Sequence, residues 1–347
     1  MFQGCGMQVA ESKSQLESVA RGQVLSIGNF DGVHIGHQEL LKQAKAEAKR
    51  HNTALAIMTF FPHPAAVLRP DKAPRILTPL PLKKQLLEES GVDCFIILTD
   101  TYELLNLSPK NFVDEFLMKN IKPVAVVEGV NFTFGYGRSG NVLLLRDIGK
   151  ERGFEVIIVQ PKEQNFSKGQ RSTVSSSLIR DFVEKGNVKD AMAALGRPYK
   201  LVGKTIPGRG KGAQMGFPTA NIEPLEQLIP AEGVYAGFVE IGETVDDVCI
   251  SKQRLPAAIS IGRAKTFVGE HPLLFEAHIL ATEDTENTEV NKNIKNTVPN
   301  LYGKWLAMDF ISRIRPQHRF ENAEALKAQI AKDCEQIKKI LATESQT

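Results

Sequence analysis

Gly28-Asn29-Phe30-Asp31-Gly32-Val33-His34-Ile35-Gly36-His37-Gln38 is the stretch whose reading decides the fold. It follows the apolar run Val24–Ile27 and precedes a helical pattern over residues 36–50. A strand thus leads into a glycine-rich turn, and a helix begins where two histidines stand three residues apart. That spacing puts both imidazoles on one face of the first helical turn. A helix start also offers unbonded backbone N–H groups and the positive end of the dipole, which together suit a phosphate. Gly28, Gly32 and Gly36 leave room for a bulky anion close to the backbone. Two plainer readings compete: a metal half-site, or two ordinary surface histidines. A zinc site needs further Cys or His ligands at short spacing. Cys5, Cys94, Cys249 and Cys334 are scattered and form no CxxC.

Outward from this stretch, apolar runs alternate with amphipathic segments. Strands are predicted at residues 24–27, 54–60, 94–98, 124–127 and 156–159, and helices at 36–50, 82–89, 109–119 and 142–152. Such alternation predicts a Rossmann-like α/β domain, a parallel sheet with helices on both faces. Ligands on these sheets bind at the carboxyl ends of strands. Segments 28–37, 61–63 and 129–135 each follow a predicted strand, so they are in position to converge on one rim. Beyond residue 185 the pattern changes. Two short helices, 176–185 and 188–195, lead to strands at 199–205, 234–241, 257–261, 273–280 and 305–314, separated by Gly and Pro. This predicts a small antiparallel β-barrel. Leu326, Ile330, Ile337 and Leu341 mark a closing helix over 323–341. The expected domains are residues 1–186 and 187–347, and the polar run 283–296 reads as an exposed loop.

The 347 residues suffice for two domains of ~150 residues each. A net charge of +3 argues against a nucleic-acid wrapper or a membrane-surface binder, and small-molecule substrates are the expected partners. No apolar run approaches the ~18 residues that span a bilayer. Residues 1–15 lack a signal-peptide apolar core, and dispersed cysteines suit a reducing cytoplasm, the expected location. Nothing in the sequence sets an oligomeric state.

The decisive stretch resembles the HxGH signature of the nucleotidyltransferase superfamily, in the form found in prokaryotic bifunctional riboflavin kinase/FAD synthetases. The resemblance continues in order through Thr59-Phe60-Phe61-Pro62-His63-Pro64, Gly129-Val130-Asn131-Phe132-Thr133-Phe134-Gly135, Val174-Ser175-Ser176-Ser177-Leu178-Ile179-Arg180, Gly216-Phe217-Pro218-Thr219-Ala220-Asn221 and Leu301-Tyr302-Gly303-Lys304. It implies an adenylyl transfer from ATP to FMN in the first domain, giving FAD and pyrophosphate. It also implies phosphorylation of riboflavin to FMN by ATP with Mg²⁺ in the second.

Adenylyl transfer needs the attacking phosphate held in line and charge stabilised as the transition state forms. His34 and His37 would donate to phosphate oxygens, and Gly28, Asn29 and Phe30 would line the ATP site with backbone or amide donors. Each such donor is worth about 2.7–4 kcal/mol by analogy with oxyanion holes. Ser175, Ser176, Ser177 and Arg180, at a predicted helix start, make a second anion cradle or simply an N-cap. The resemblance assigns them to ATP. It assigns Pro62, His63 and Asn131 to the flavin side of the site, where a stiff turn and a turn asparagine are the plainer readings. Phe132 and Phe134 read equally as core or as flavin wall.

In the second domain, Gly208, Gly210, Gly212 and Gly216 form a glycine-rich loop that is no Walker A, since no Gly-Lys-Ser/Thr occurs. A flexible linker is the plainer reading. By resemblance the loop covers a nucleotide, Thr219 and Asn221 ligate Mg²⁺, and Glu276 is the catalytic base toward the ribityl hydroxyl. Ala213, Ala264-Lys265 before Thr266-Phe267, and the long connection from Glu276 to Leu301 depart from the family pattern. A FAD synthetase with a weak kinase is therefore one alternative, and a non-catalytic flavin- or nucleotide-binding regulator another. A third, a nicotinamide oxidoreductase, rests on the literal GxGxxG of Gly135-Tyr136-Gly137-Arg138-Ser139-Gly140. Its late place in the sheet argues against it.

Overall fold

The computed structural model describes residues 6–11, 15–16, 21–99, 102–167, 169–208, 210–251, 253–263, 273–280 and 301–344. Ala264-Lys265, Thr266-Phe267 and the loop 283–296 lie outside the described residues. The chain divides into two compact units. The first comprises Met1–Arg75, Lys83–Asn165 and Arg171–Ser175, and the second Ile76–Leu82, Phe166–Gln170 and Ser176–Thr347.

The first unit is built on β1 (Gln8–Ala10), β2 (Val24–Ile27), β3 (Leu55–Phe60), β4 (Cys94–Leu98), β5 (Ala125–Gly129), β6 (Thr133–Phe134), β7 (Gly140–Asn141), β8 (Glu155–Val159), β9 (Glu163–Asn165) and β10 (Arg171–Thr173). Six of these make one sheet in the order β1-β4-β3-β2-β5-β8, parallel throughout. The five strands expected from the apolar runs are present. The edge strand β1 is an addition, too short at three residues to show a period. Residues 109–121, expected as one helix, are a helical turn at Pro109–Asn111 running into a π-helix at Phe112–Ile121. Phe112, Phe116 and Leu117 of that segment pack with Leu25, Met58, Ile96 and Val126 of the sheet. Chain order reverses between β3 and β5 on either side of β2, so the switch point lies at the carboxyl end of β2.

The GxGxxG stretch is not a strand-to-helix turn. It spans the tip of the antiparallel hairpin β6–β7, with a 3₁₀ turn at Tyr136–Arg138. The glycines thus sit in an antiparallel hairpin and not in a turn from a strand of the parallel sheet into a crossover helix, which argues against the dinucleotide reading. Phe134 is buried against Phe112 and Phe132, so it is core.

The second unit opens with helices Ser176–Glu184 and Val188–Leu195. It then forms β11 (Tyr199–Ile206), β12 (Ala220–Pro224), β13 (Gly233–Gly242), β14 (Leu255–Arg263), β15 (Leu273–Ile279) and β16 (Trp305–Arg315). These close a barrel in the order β11-β12-β15-β14-β13-β16 with every described pairing antiparallel. The sequence reading missed β12, whose Ala, Asn and Pro are poor strand formers. Without it the barrel would have an open edge. The helix Ala323–Glu344 lays Cys334, Ile337 and Leu341 over Val234, Ala236, Phe238 and Ile311. Alternation along β13 then turns Tyr235 to the other side, into the barrel. There Tyr199, Tyr235 and Phe310 form a fully buried aromatic cluster, with Phe310 edge-on to Tyr235 at 5.2 Å. The Phe310→Ala chain should lose about 3–5 kcal/mol of barrel stability. Urea unfolding followed by the fluorescence of Trp305, the chain's single tryptophan, measures it.

Candidate functional site

At the switch point β2 and β5 pair only at Val24–Ala125 and Leu25–Val126. Beyond them the Ile27 N–H donates to the Glu128 carboxyl at 2.5 Å, and Ser26 Oγ lies 3.4 Å from the same oxygen. A side chain thus takes the place of a ladder bond, and the two strands part where the loop 28–37 begins. Burial pushes the Glu128 pKa well up, against the two bonds it accepts. Sequence reasoning missed Glu128 because one acid inside the run Ala125–Gly129 does not disturb an apolar pattern.

The loop itself is strained. Phe30 and Val33 adopt φ of 46° and 39°, in the left-handed region that side chains disfavour. Each costs on the order of 1–3 kcal/mol, and such residues gather at functional sites. The expected backbone roles of the glycines shift accordingly. The Gly28 N–H continues the sheet by donating to the Met58 carbonyl at 2.9 Å, so it serves the ladder. At Gly36 a Cβ would stand 3.2 Å from the His34 ring, so glycine there makes room for an imidazole.

His34 is the N-cap of the helix Ile35–Arg50, and its Nδ1 accepts the His37 N–H at 3.2 Å. The neutral ring therefore carries its proton on Nε2. The His37 ring stacks on it, centroids 3.7 Å apart and 14° from parallel, with Phe30 at 5.1 Å from His37. The two imidazoles expected on one helical face do lie together.

The end of the neighbouring strand β3 brings up Phe61-Pro62-His63, with a cis peptide before Pro62. His63 caps the short helix Pro64–Leu68 by accepting the Ala65 N–H on Nδ1 at 3.0 Å. Its Nε2 lies 2.8 Å from the Asn29 amide, which joins the two loops. Asn131 is exposed in the turn after β5, closed by the Phe132 N–H to the Gly129 carbonyl. Ser175 ends the first unit, while Ser176, Ser177 and Arg180 lie on the helix Ser176–Glu184 of the second.

The barrel gathers a second set. Asn221 on β12 pairs directly with Glu276 on β15. The glycine loop folds tightly over this pair: a Cβ on Gly208 would fall 1.9 Å from Asn221 Nδ2, and one on Gly212 would fall 3.0 Å from Thr219 Oγ1. Gly210 and Gly216 supply the left-handed turns, with φ of 68° and 88°. These contacts exclude a free linker. Ala213 sits in the helical turn Lys211–Gln214 of the same loop. Burial raises the Glu276 pKa. The sequence reading overlooked His278, two residues on and hence on the same face of β15. Its Nδ1 donates to the Pro218 carbonyl at 2.7 Å and its ring meets Phe217 edge-on. It thereby fixes the turn that carries Thr219. Burial lowers its pKa below 6.5, against the Pro218 bond.

A strained loop with stacked imidazoles at a sheet switch point, joined in one chain to a glycine-loop barrel, defines a two-module phosphate-handling protein. Comparisons with known proteins narrow the class. The family model for FAD synthetase matches residues 16–177, and that for riboflavin kinase matches residues 195–341. The bifunctional riboflavin kinase/FMN adenylyltransferase of Escherichia coli strain K12 is 33% identical over 312 residues, 90% of either chain. That of Bacillus subtilis strain 168 is 32% identical over 314 residues, 89% of this chain and 90% of the other. A solved Streptococcus pneumoniae structure, described as a macrolide-efflux protein, matches with a TM-score of 0.77 at 28% identity, covering 95% of this chain and 98% of that one. The chain belongs to the bifunctional riboflavin kinase/FMN adenylyltransferase family.

His278 should titrate below 6.5 by NMR. A depressed folded pKa means that the unfolded chain binds the extra proton first, so this residue's share of barrel stability falls as pH drops through 6.5. Comparing His278→Phe with the parent across that range isolates the slope.

Proposed function

We propose that this chain converts riboflavin to FMN in its barrel and FMN to FAD in its sheet domain, with ATP as co-substrate of both reactions. Residues 1–186 carry the adenylyltransferase and residues 187–347 the kinase. The observation that carries this proposal is that one chain, matching bifunctional relatives over nine-tenths of its length, holds both constellations, each built from its own strands. Among the described residues no helix is long and apolar enough to cross a membrane.

In the sheet domain an oxygen of the FMN phosphate attacks the α-phosphorus of ATP. A new P–O bond forms, the bond to the bridging oxygen breaks, and pyrophosphate leaves. Proteins contribute position and charge to such transfers more than covalent chemistry. His34 Nε2–H and the stacked His37 ring are the donors to the phosphate oxygens, and Asn29 and Phe30 line the loop beneath. The family resemblance gives Ser175, Ser176, Ser177 and Arg180 to the nucleotide phosphates. Pro62, His63 and Asn131 face the flavin.

In the barrel Glu276 takes the proton from the ribityl hydroxyl as that oxygen attacks the γ-phosphorus and ADP leaves. A raised pKa makes this carboxylate a better base near neutral pH. Thr219 and Asn221 fit a magnesium site, since one offers a hydroxyl and the other an amide oxygen and the glycine loop packs against both. The ion would neutralise phosphate charge there. The presence of Glu276 beside Asn221 favours a working kinase over a crippled one.

Riboflavin with excess ATP and Mg²⁺, followed over time, should give FMN first and then FAD with matching pyrophosphate. Absence of both flavin products rejects the proposal. His37→Ala should lower FAD formation by roughly 10²–10³-fold and spare FMN formation. Glu276→Gln should lower FMN formation from riboflavin and spare FAD formation when FMN itself is supplied. The acid limb of the parent's kinase profile should lie above the ordinary carboxylate value of 4.5.

A further inference from the structure

Lys83 is a charge of the first unit to which adenylyl transfer, as described above, gives no task. In sequence it is half of a Lys83-Lys84 pair in the helix Leu80–Glu89, indistinguishable from a solvated helix face. In the structure Lys84 is exposed and Lys83 is drawn inward. Its Nζ donates to the Asn29 carbonyl at 2.7 Å, where Thr59 Oγ1 also lies at 3.5 Å. Burial lowers the Lys83 pKa, and the charge of Asp31 opposes that.

The bonded carbonyl is in an unusual place. Gly28 before it is fastened to Met58, and Phe30 after it turns at positive φ. A strained turn persists only when its surroundings over-determine it. An ammonium-to-carbonyl bond is charge-assisted and is strengthened by a desolvated setting. Lys83 therefore holds the Asn29–Phe30 turn from its backbone side.

His63 holds the same residue from its side-chain end, and the proton count shows how. The Ala65 N–H occupies His63 Nδ1, so the Nε2 proton must donate to what it faces. It faces the Asn29 amide at 2.8 Å, and only the carbonyl end of an amide can accept. The Asn29 NH₂ then takes the buried position at which no hydrogen-bond partner stands among the described residues. That end of the amide is sealed inside the turn, so the side chain acts as an internal tie and is not free to swing.

Building on the adenylyltransferase assignment, we propose that Lys83 is a positioning residue for adenylyl transfer: its bond to the Asn29 carbonyl, opposed by the His63 bond to the Asn29 side chain, locks the strained turn that leads into the helix start, so that the His34–His37 pair meets the reacting phosphates in a fixed geometry.

The test uses the full chain and reads both reactions. Lys83→Met keeps the stem and removes the ammonium, whereas Lys83→Arg keeps the charge. Lys83→Met should lower kcat for FAD formation from FMN and ATP by ~100-fold while KM for FMN moves less than about threefold. FMN formation from riboflavin should be unchanged, and Lys83→Arg should recover at least about a tenth of the lost rate. A Lys83→Met kcat within about threefold of the parent overturns the proposal. So does a joint fall of both reactions with a lowered melting temperature in both variants, because that assigns Lys83 to the fold. A parent chain that forms FMN but no FAD rejects the adenylyltransferase assignment itself, and this shows before any substitution is made.

Discussion

Two adjacent parallel strands, β2 and β5, stay paired for only two residues, and the first unit's site depends on their parting. Parallel ladders are evenly spaced and close-set, so a loop leaving between two strands needs the ladder to stop without orphaning a buried N–H. The Glu128 carboxyl meets that need by accepting the Ile27 N–H. Burial favours the protonated acid, which avoids an unpaired charge in the sheet. One side chain thus opens the switch point and keeps its floor saturated.

From that opening the chain spends backbone strain to aim its donors. Phe30 and Val33 sit where side chains are disfavoured, yet the turn is held by Met58, Lys83 and Thr59 around Asn29 and by the helix that His34 caps. The strain is local and its restraints come from three different elements. Rigidity of this kind suits a reaction in which the protein supplies position and charge.

The barrel reaches a comparable end by close approach. Its loop lies against Asn221 at a distance no Cβ would tolerate and tightly against Thr219, while strand register sets Glu276 beside Asn221. His278 binds the turn from below through Pro218. Here hydrogen-bonded register, which is stiff, fixes the acid and the amide, and glycine lets the loop come near.

The sequence by itself determined the alternation of strands and helices, the barrel with its closing helix, and the groups able to handle phosphate, because period, turn chemistry and motif are local properties. His34 and His37 were legible at once, since three-residue spacing on a helix dictates a shared face. Glu128 and Lys83 were not: an acid in an apolar run and a lysine in a helical pair look alike whatever they touch. The strand β12 was hidden because its residues serve the loop and the site more than the ladder. Only the tertiary structure decided which carbonyl Lys83 meets, where β2 and β5 separate, and which glycines make room for neighbouring side chains. Those are contacts between segments far apart in the chain, set by packing and hydrogen-bond saturation, and no local pattern encodes them.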